Sequence, residues 1–328
     1  MNRLGAILDK FAGIHLLVVG DLMLDRFLWG DVERLSPEAP VPVLRVVSEK
    51  ISLGGAANVI HNVRTLSGRV TACGIIGKDD AGARINAALR KLGVSTAGVF
   101  VDPRFQTIQK TRVIARPHHQ QIVRLDRENC QPIGESTLKK MRDFIAAKAA
   151  GFDAIVVSDY GKGAIDSPTL DAIAAVCARR KVAYVVDPKK QNYEHYRFAT
   201  LITPNKNEAS EASGMPIQDE LSLREAGKKL MRKWRAQAVL ITRGAEGMTL
   251  FRSRSSVTHF PTESREVFEV TGAGDTVVAV CALALASGAG YADAAVLANL
   301  AAGLVGDEVG TVAVPVEKLR RIIEERRT

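Results

Sequence analysis

HLLVVG at residues 15–20 is a short apolar run ending in Gly-Asp, and similar runs return at 153–157 (DAIVV), 182–186 (VAYVV) and 237–241 (QAVLI). Segments that are apolar along nearly their whole length, and not at every second residue, read as strands buried on both faces, the condition of a parallel sheet. Around them the pattern predicts strands at 70–76, 98–101 and 199–202, and helices over 54–67, 80–92, 135–149, 167–179 and 219–234. Hairpin-like runs follow at 247–251 and 256–260, then three helices near 273–287, 291–305 and 315–326. Strands alternating with helices of this length imply an α/β fold, a mostly parallel sheet with helices on both faces. No internal repeat or low-complexity linker interrupts the 328 residues, so residues 1–328 are expected to form a single domain.

Two stretches break the alternation. Between Phe27 and Ser52 lies Ser36-Pro37-Glu38-Ala39-Pro40-Val41-Pro42, which is neither helix nor central strand because proline removes ladder donors. The following Val43-Leu44-Arg45-Val46-Val47 has strand character. Residues 107–127 read as two strands, TRVIA and QIVRLD, joined across Arg116-Pro117-His118-His119. These pieces, about 27–52 and 107–127, are expected to form a small β-sheet lid projecting from the core. Val43, Val46, Val113, Ile114 and Ile122 would then be partly exposed on a sheet with open edges, a hazard unless covered.

Composition narrows the function classes. Hydrophobic residues make up 46% and charged residues 25%, which excludes a disordered or fibrous chain. Cys73, Cys130, Cys177 and Cys281 are widely spaced without a C-x-x-C pair, so they read as core residues of a reducing compartment. No apolar run reaches the length of a membrane span and no signal peptide is evident, so a cytoplasmic protein is expected. The net charge of +9 favours anionic partners. The basic residues are dispersed and aromatics sparse, so a phosphorylated small molecule is expected and nucleic acid is not.

The strongest chemical signal is Val270-Thr271-Gly272-Ala273-Gly274-Asp275-Thr276, followed by the apolar helix VVAVCALALA. Small residues at a loop-to-helix junction let backbone N–H groups point at an anion, and the helix N-terminus adds partial positive charge. A carboxylate there would repel the ligand unless it moves a proton, so Asp275 reads as a general base, with helix capping as the plain alternative. Asn205-Lys206-Asn207-Glu208 opens another helix after a strand; Asn205 and Glu208 could hold a hydrated Mg2+ or form a capping box. Asp21, Asp25, Gly54, Gly55 and Asn58 lie near strand ends, where carboxylates and amides can bind sugar hydroxyls. Ser158 to Gly163 and Asp187-Pro188-Lys189-Lys190 should share that rim, and Thr242-Arg243-Gly244-Ala245-Glu246-Gly247 reads as a turn that receives a nucleotide. No P-loop signature and no G-x-G-x-x-G after a strand occurs, which argues against P-loop and dinucleotide-binding folds.

In this order, Gly54-Gly55 with Asn58, Asn205-x-x-Glu208, Thr242-x-Gly244-x-x-Gly247 and Thr271-Gly272-Ala273-Gly274-Asp275 resemble the ribokinase (carbohydrate kinase) family over essentially the whole chain. Within it, GDLMLDRFLWGDVERLSPEAPVPV, GGAANV, SDYGKGA, DPK and EVFEVTGAGDT are similar to the D-glycero-D-manno-heptose 7-phosphate kinases, which supply ADP-heptose for lipopolysaccharide. Val270 departs from the Asp of many sugar kinases and agrees with the narrower group. With no H-x-G-H segment, the chain resembles the form without a nucleotidyltransferase domain.

The resemblance implies a ribokinase-like fold, ATP and Mg2+ as cofactors, and a homodimer through the lid strands; a monovalent cation is left open. It implies Asp275 as base, with Gly272, Ala273 and Gly274 on the transferred phosphoryl group. Asn205, Lys206, Asn207, Glu208, Thr242, Arg243, Gly244 and Gly247 would serve nucleotide and metal, the metal ligands being Asn205 and Glu208. Asp21, Asp25, Gly54, Gly55, Asn58 and Asp187 would face the sugar, and Arg112, Lys162 and Lys189 are candidates for its distal phosphate. The alternatives are a kinase of ribose, a fructose or tagatose phosphate or a nucleoside, and a silent sugar-phosphate sensor.

Overall fold

The computed structural model describes residues 3–128, 132–252, 256–262, 272–305 and 313–325. Val270, Thr271 and Cys130 therefore lie outside the described residues. The chain opens with α1 (Arg3–Leu8), a short helix the sequence pattern does not signal, and β1 (His15–Gly20). The long pair β2 (Leu22–Leu35) and β3 (Pro42–Gly55) leads into α2 (Ala56–Thr65), β4 (Arg69–Gly77), α3 (Asp80–Lys91) and β5 (Ser95–Asp102). A second pair, β6 (Ile108–Ala115) and β7 (Gln120–Arg127), precedes α4 (Glu135–Lys148), β8 (Ala154–Ser158), α5 (Ser167–Arg180) and β9 (Ala183–Asp187). Then come β10 (Leu201–Ile202), α6 (Lys206–Ser213), α7 (Glu220–Trp234), β11 (Val239–Thr242), β12 (Met248–Phe251) and β13 (Val257–Phe260). Three helices, α8 (Ala273–Ala286), α9 (Tyr291–Gly303) and α10 (Val316–Glu325), complete the described chain.

The main sheet has the order β13-β12-β11-β10-β9-β8-β1-β4-β5. It is parallel from β11 to β5, with β12 and β13 adding an antiparallel edge. The apolar strands obey the two-residue period of a pleat with both faces buried. Leu16 and Val18 join a core built from α2, α3, α8, α9 and α10, whereas Leu17 and Val19 join one built from α4, α5, α6 and α7. Helix α8 is apolar all round because it is covered all round: it packs on α2, α9 and the β8–β9 part of the sheet. That burial fixes the position of its N-terminus, where Asp275 stands.

The two stretches outside the alternation form a separate sheet of order β3-β2-β6-β7, as expected of a lid. Strands β2 and β6 run parallel at its centre, with Asp25 opposite Lys110 and Phe27 opposite Arg112. Residues 36–41 connect β2 to β3 outside any strand, in keeping with their prolines. The sheet leaves Val46 54%, Leu125 54% and Val123 43% exposed. The expectation for Ile114 is corrected: it is 4% exposed, because the pleat turns it away from the face that carries its neighbour Val113.

Candidate active site

The C-terminal ends of β1, β8, β9, β10 and β11 share one rim of the sheet, and the segments leaving them converge with the start of α8. Gly272, with φ +90°, caps α8, and Asp275 falls in its first turn, 3% exposed. The first N–H groups of a helix have no partner inside it, so the turn offers free donors and partial positive charge to an anion. Tyr160, on the loop after β8, donates its hydroxyl proton to Asp275 Oδ1 at 2.8 Å. Asn58, in the first turn of α2, donates Nδ2–H to Asp275 Oδ2 at 2.7 Å. Burial pushes the Asp275 carboxyl up to about 6, with the Asn58 and Tyr160 donors and the Lys110 charge acting against it and the Asp25 charge with it. A carboxyl so poised is ionised at neutral pH yet basic enough to accept a proton.

Beside Asp275 the lid supplies an ion pair. Arg112 Nη1 meets Asp25 Oδ1 at 2.6 Å, and both side chains are nearly buried, 11% and 7% exposed. Asp25 Oδ2 lies so close to Gly54 that a Cβ there would stand 2.2 Å away, so only glycine admits the carboxylate. Lys110, two residues before Arg112 on the same face of β6, places its ammonium 5.4 Å from the centre of the Tyr160 ring. Desolvation lowers the Lys110 pKa, while Asp25 and Asp126 support the charge.

A cavity of about 200 Å³ adjoins Gly274 and Tyr160 and is lined further by Asp159, Asp187, Pro188, Lys189, Thr203, Asn205, Glu208 and Thr242. Asn205 and Glu208 form a true capping box on α6: Asn205 Oδ1 accepts the Glu208 N–H at 2.9 Å, and Glu208 Oε2 accepts the Asn205 N–H at 3.0 Å. The capping alternative is therefore realised, and the same residues line the cavity. Glu208 Oε1 takes Lys189 Nζ at 2.9 Å. Burial, followed by the charges of Glu208 and Asp275, raises the Asp187 pKa well above the carboxylate range. Among the described residues no three His, Cys, Asp or Glu side chains gather into a closed metal cage. These hard oxygen donors fit Mg2+, which keeps most of its water and takes remaining ligands from phosphates.

Other residues singled out in the sequence hold the rim together. Both oxygens of Asp21 are committed to the loop after β8, Oδ2 accepting the N–H of Tyr160 and Lys162 and Oδ1 that of Ala164. That places Tyr160 and leaves Asp21 2% exposed, facing backbone. Lys162 pairs with Glu128 at 2.5 Å. Lys189 stands with Glu208, Asn205 and Thr242 among cavity residues that include no lid strand. Thr242 pairs with Asn205 in an isolated parallel bridge, which joins the turn after β11 to the start of α6. The Arg243 guanidinium turns to Glu220 at 2.6 Å and to Glu246, and Lys206 reaches Glu246 at 3.5 Å. Gly244 is the left-handed start of this turn, and a Cβ on Gly247, at φ +84°, would lie 2.1 Å from the Phe260 carbonyl oxygen. Asn207 is exposed on α6, outside the cavity lining.

Comparisons with known proteins agree with this geometry. Residues 14–319 match the pfkB family of carbohydrate kinases. The Geobacter metallireducens bifunctional protein HldE is 50% identical over 301 residues, 92% of this chain and 61% of that protein. Its counterpart in Trichlorobacter lovleyi is 43% identical over 323 residues, 98% of this chain and 65% of that one. The chain thus spans somewhat less than two thirds of these relatives. Among solved structures, phosphofructokinase-2 from Escherichia coli in complex with substrates and products superposes with a TM-score of 0.79 at 18% identity, covering 96% of this chain and all of that one. Ribokinase from Arabidopsis thaliana complexed with ribose and ATP gives 0.73 at 18% identity, over 95% and 99% of the two chains. These likenesses establish the ribokinase-like fold, and with the family match over nearly its whole length, the chain belongs to the pfkB family of carbohydrate kinases.

Proposed function

We propose that this chain, acting as one kinase domain with a lid, uses ATP to phosphorylate the anomeric C1 hydroxyl of D-glycero-D-manno-heptose 7-phosphate. The observation that carries the reading is Asp275, a buried carboxylate held by two donors inside an anion-binding helix turn of a pfkB-family kinase. The heptose rests on the subfamily-like segments, chiefly SDYGKGA and EVFEVTGAGDT, and on the likeness to the HldE proteins. Asp275 takes the C1 hydroxyl proton, the oxygen attacks the γ-phosphorus in line, and ADP leaves. The amides at Gly272, Ala273 and Gly274 offset charge on the transferred group. Asp25 and Asn58, beside Gly54 and Gly55, face the sugar, and Arg112 with Lys162 meets the distal phosphate; Asp187 stands between sugar and nucleotide. ATP enters against Thr242 and Gly244, with Lys189 and Glu208 toward its phosphates. Bound near Asn205 and Glu208, Mg2+ would neutralise phosphate charge. Use of the ATP pool supports a cytoplasmic enzyme. ADP release with heptose 7-phosphate against fructose 6-phosphate and ribose tests the assignment; a preference for either competitor overturns it.

Two further expectations belong to this reading. Glu208→Gln should raise the Mg2+ concentration that gives half-maximal rate, because it deletes a charge beside the phosphates. An unchanged Mg2+ titration would leave Glu208 with only its capping role. The second concerns assembly. Val46, Val47, Ile122, Val123 and Leu125 leave apolar side chains exposed on the lid strands, and a second copy of the lid would cover one of its faces, giving a homodimer. Sedimentation at micromolar concentration should show a dimer, and Val46→Glu should shift it toward monomer. A monomeric wild type, or a dimer indifferent to Val46→Glu, counts against lid pairing.

A further inference from the structure

The base does not stand alone on its helix. Asp275 is faced by Asn58 from α2, Tyr160 from the loop after β8, Asp25 from β2, Lys110 from β6 and Asp187 from the end of β9. Of these, only Asn58 and Tyr160 hydrogen-bond its oxygens, one each. The Tyr160 backbone is anchored by Asp21 Oδ2 at 2.9 Å, so the ring has a fixed origin. Above the ring sits Lys110, partly buried, on the same lid face as Arg112 and Asp25. An ammonium over a tyrosine face is attracted by the ring quadrupole and holds the ring in place.

We propose that Tyr160 is a positioning residue for the phosphoryl-transfer step, orienting Asp275 through its hydroxyl, and that Lys110 of the lid clamps its ring there. The inference rests on the reading of Asp275 as the base. Tyr160 keeps its proton throughout: burial and the neighbouring Asp275 charge raise its pKa well above the ordinary tyrosine value. Toward a carboxylate it can only donate, so it favours the ionised form and, with Asn58 on the other oxygen, fixes the plane of the carboxylate and the direction in which its remaining lone pairs face the substrate proton. The lid strand thereby reaches the base through one aromatic ring.

The sign of the effect follows. A donor to a carboxylate, or a cation near it, stabilises the ionised form, so removing either raises the pKa of the base. Activity that needs ionised Asp275 climbs as pH rises through that pKa, so its acid limb must move to higher pH. The test is the pH dependence of the single-turnover phosphoryl-transfer rate for wild type, Tyr160→Phe, Lys110→Met and Asp275→Asn, with melting temperatures alongside. Tyr160→Phe should keep its melting temperature and move the acid limb up by about one pH unit. Lys110→Met should move it in the same direction by less. A Tyr160→Phe limb that stays in place while Asp275→Asn is inactive overturns the positioning role and leaves the base standing. An active Asp275→Asn overturns the base, and this inference with it. An unmoved limb in Lys110→Met alone removes the lid clamp.

Discussion

Asp275→Asn is expected to lower turnover by about 10²–10⁴-fold, the usual worth of a positioned general base, while ATP binding stays close to wild type. The substitution is nearly isosteric and removes a buried charge, so the fold should survive it. Its chemical cost has two sources. An amide cannot accept the hydroxyl proton, and with its oxygen facing the Asn58 Nδ2–H its NH2 group must donate to the Tyr160 hydroxyl, which reverses the direction of that contact. The cavity proposed above to receive ATP is lined by Lys189, Asn205, Glu208 and Thr242, which are untouched. Turnover by steady-state kinetics and ATP affinity by calorimetry separate the two effects. Near wild-type turnover would take Asp275 out of the mechanism.

The readability of such a site in sequence depends on how local its physics is. The main sheet was legible because a strand buried on both faces has few residue types to choose from, as HLLVVG shows. The lid was legible through its prolines and its misfit with the alternation. Asp275 was legible because a carboxylate in a small-residue helix start has few purposes. What escaped lies across the fold. Tyr160 and Asp275 are 115 residues apart, and nothing in SDYGKGA announces which side chain the phenol will meet. Lys110 is one charge in an ordinary strand until the parallel pairing with β2 sets it beside Asp25.

Motif residues were found more easily than their tasks. Asp21 stood out as a rim carboxylate, and its oxygens accept three backbone N–H groups, so it shapes the loop that carries Tyr160. Asn58 stood out as a candidate sugar ligand, and its amide donates to Asp275. Arg243 stood out in a turn read as receiving a nucleotide, and its guanidinium pairs with Glu246 inside that turn and braces it against Glu220 of α7. Asn205 and Glu208 admitted two readings that the geometry makes compatible: a capping box orders the helix start and still presents oxygen atoms to the cavity. Spacing identifies a turn, while the direction of a side chain depends on neighbours far away in sequence.

Arg112→Met should loosen the lid. Arg112 and Asp25 are a nearly buried pair bridging β6 and β2, the two central strands of the lid, and the guanidinium also lies 5.2 Å from the centre of the Phe27 ring. Removing one partner of such a pair leaves an uncompensated charge, which costs about 3–5 kcal/mol. Asp25 cannot swing away to reach water, because Gly54 and β3 close its other side. The strain should therefore appear in the lid: amide hydrogen exchange in β2, β6 and β7 should accelerate, while β1, β8 and β9 keep their protection. Under the proposed role of Arg112 at the distal phosphate, losing this charge-assisted donor should also raise KM for the sugar phosphate by about 10–100-fold, with KM for ATP little changed. Adding Asp25→Leu to Arg112→Met removes the stranded charge, so the double variant should regain lid protection without regaining sugar affinity. Unaltered exchange in Arg112→Met would mean that the pair does not hold the lid. An unchanged KM would take Arg112 away from the phosphate.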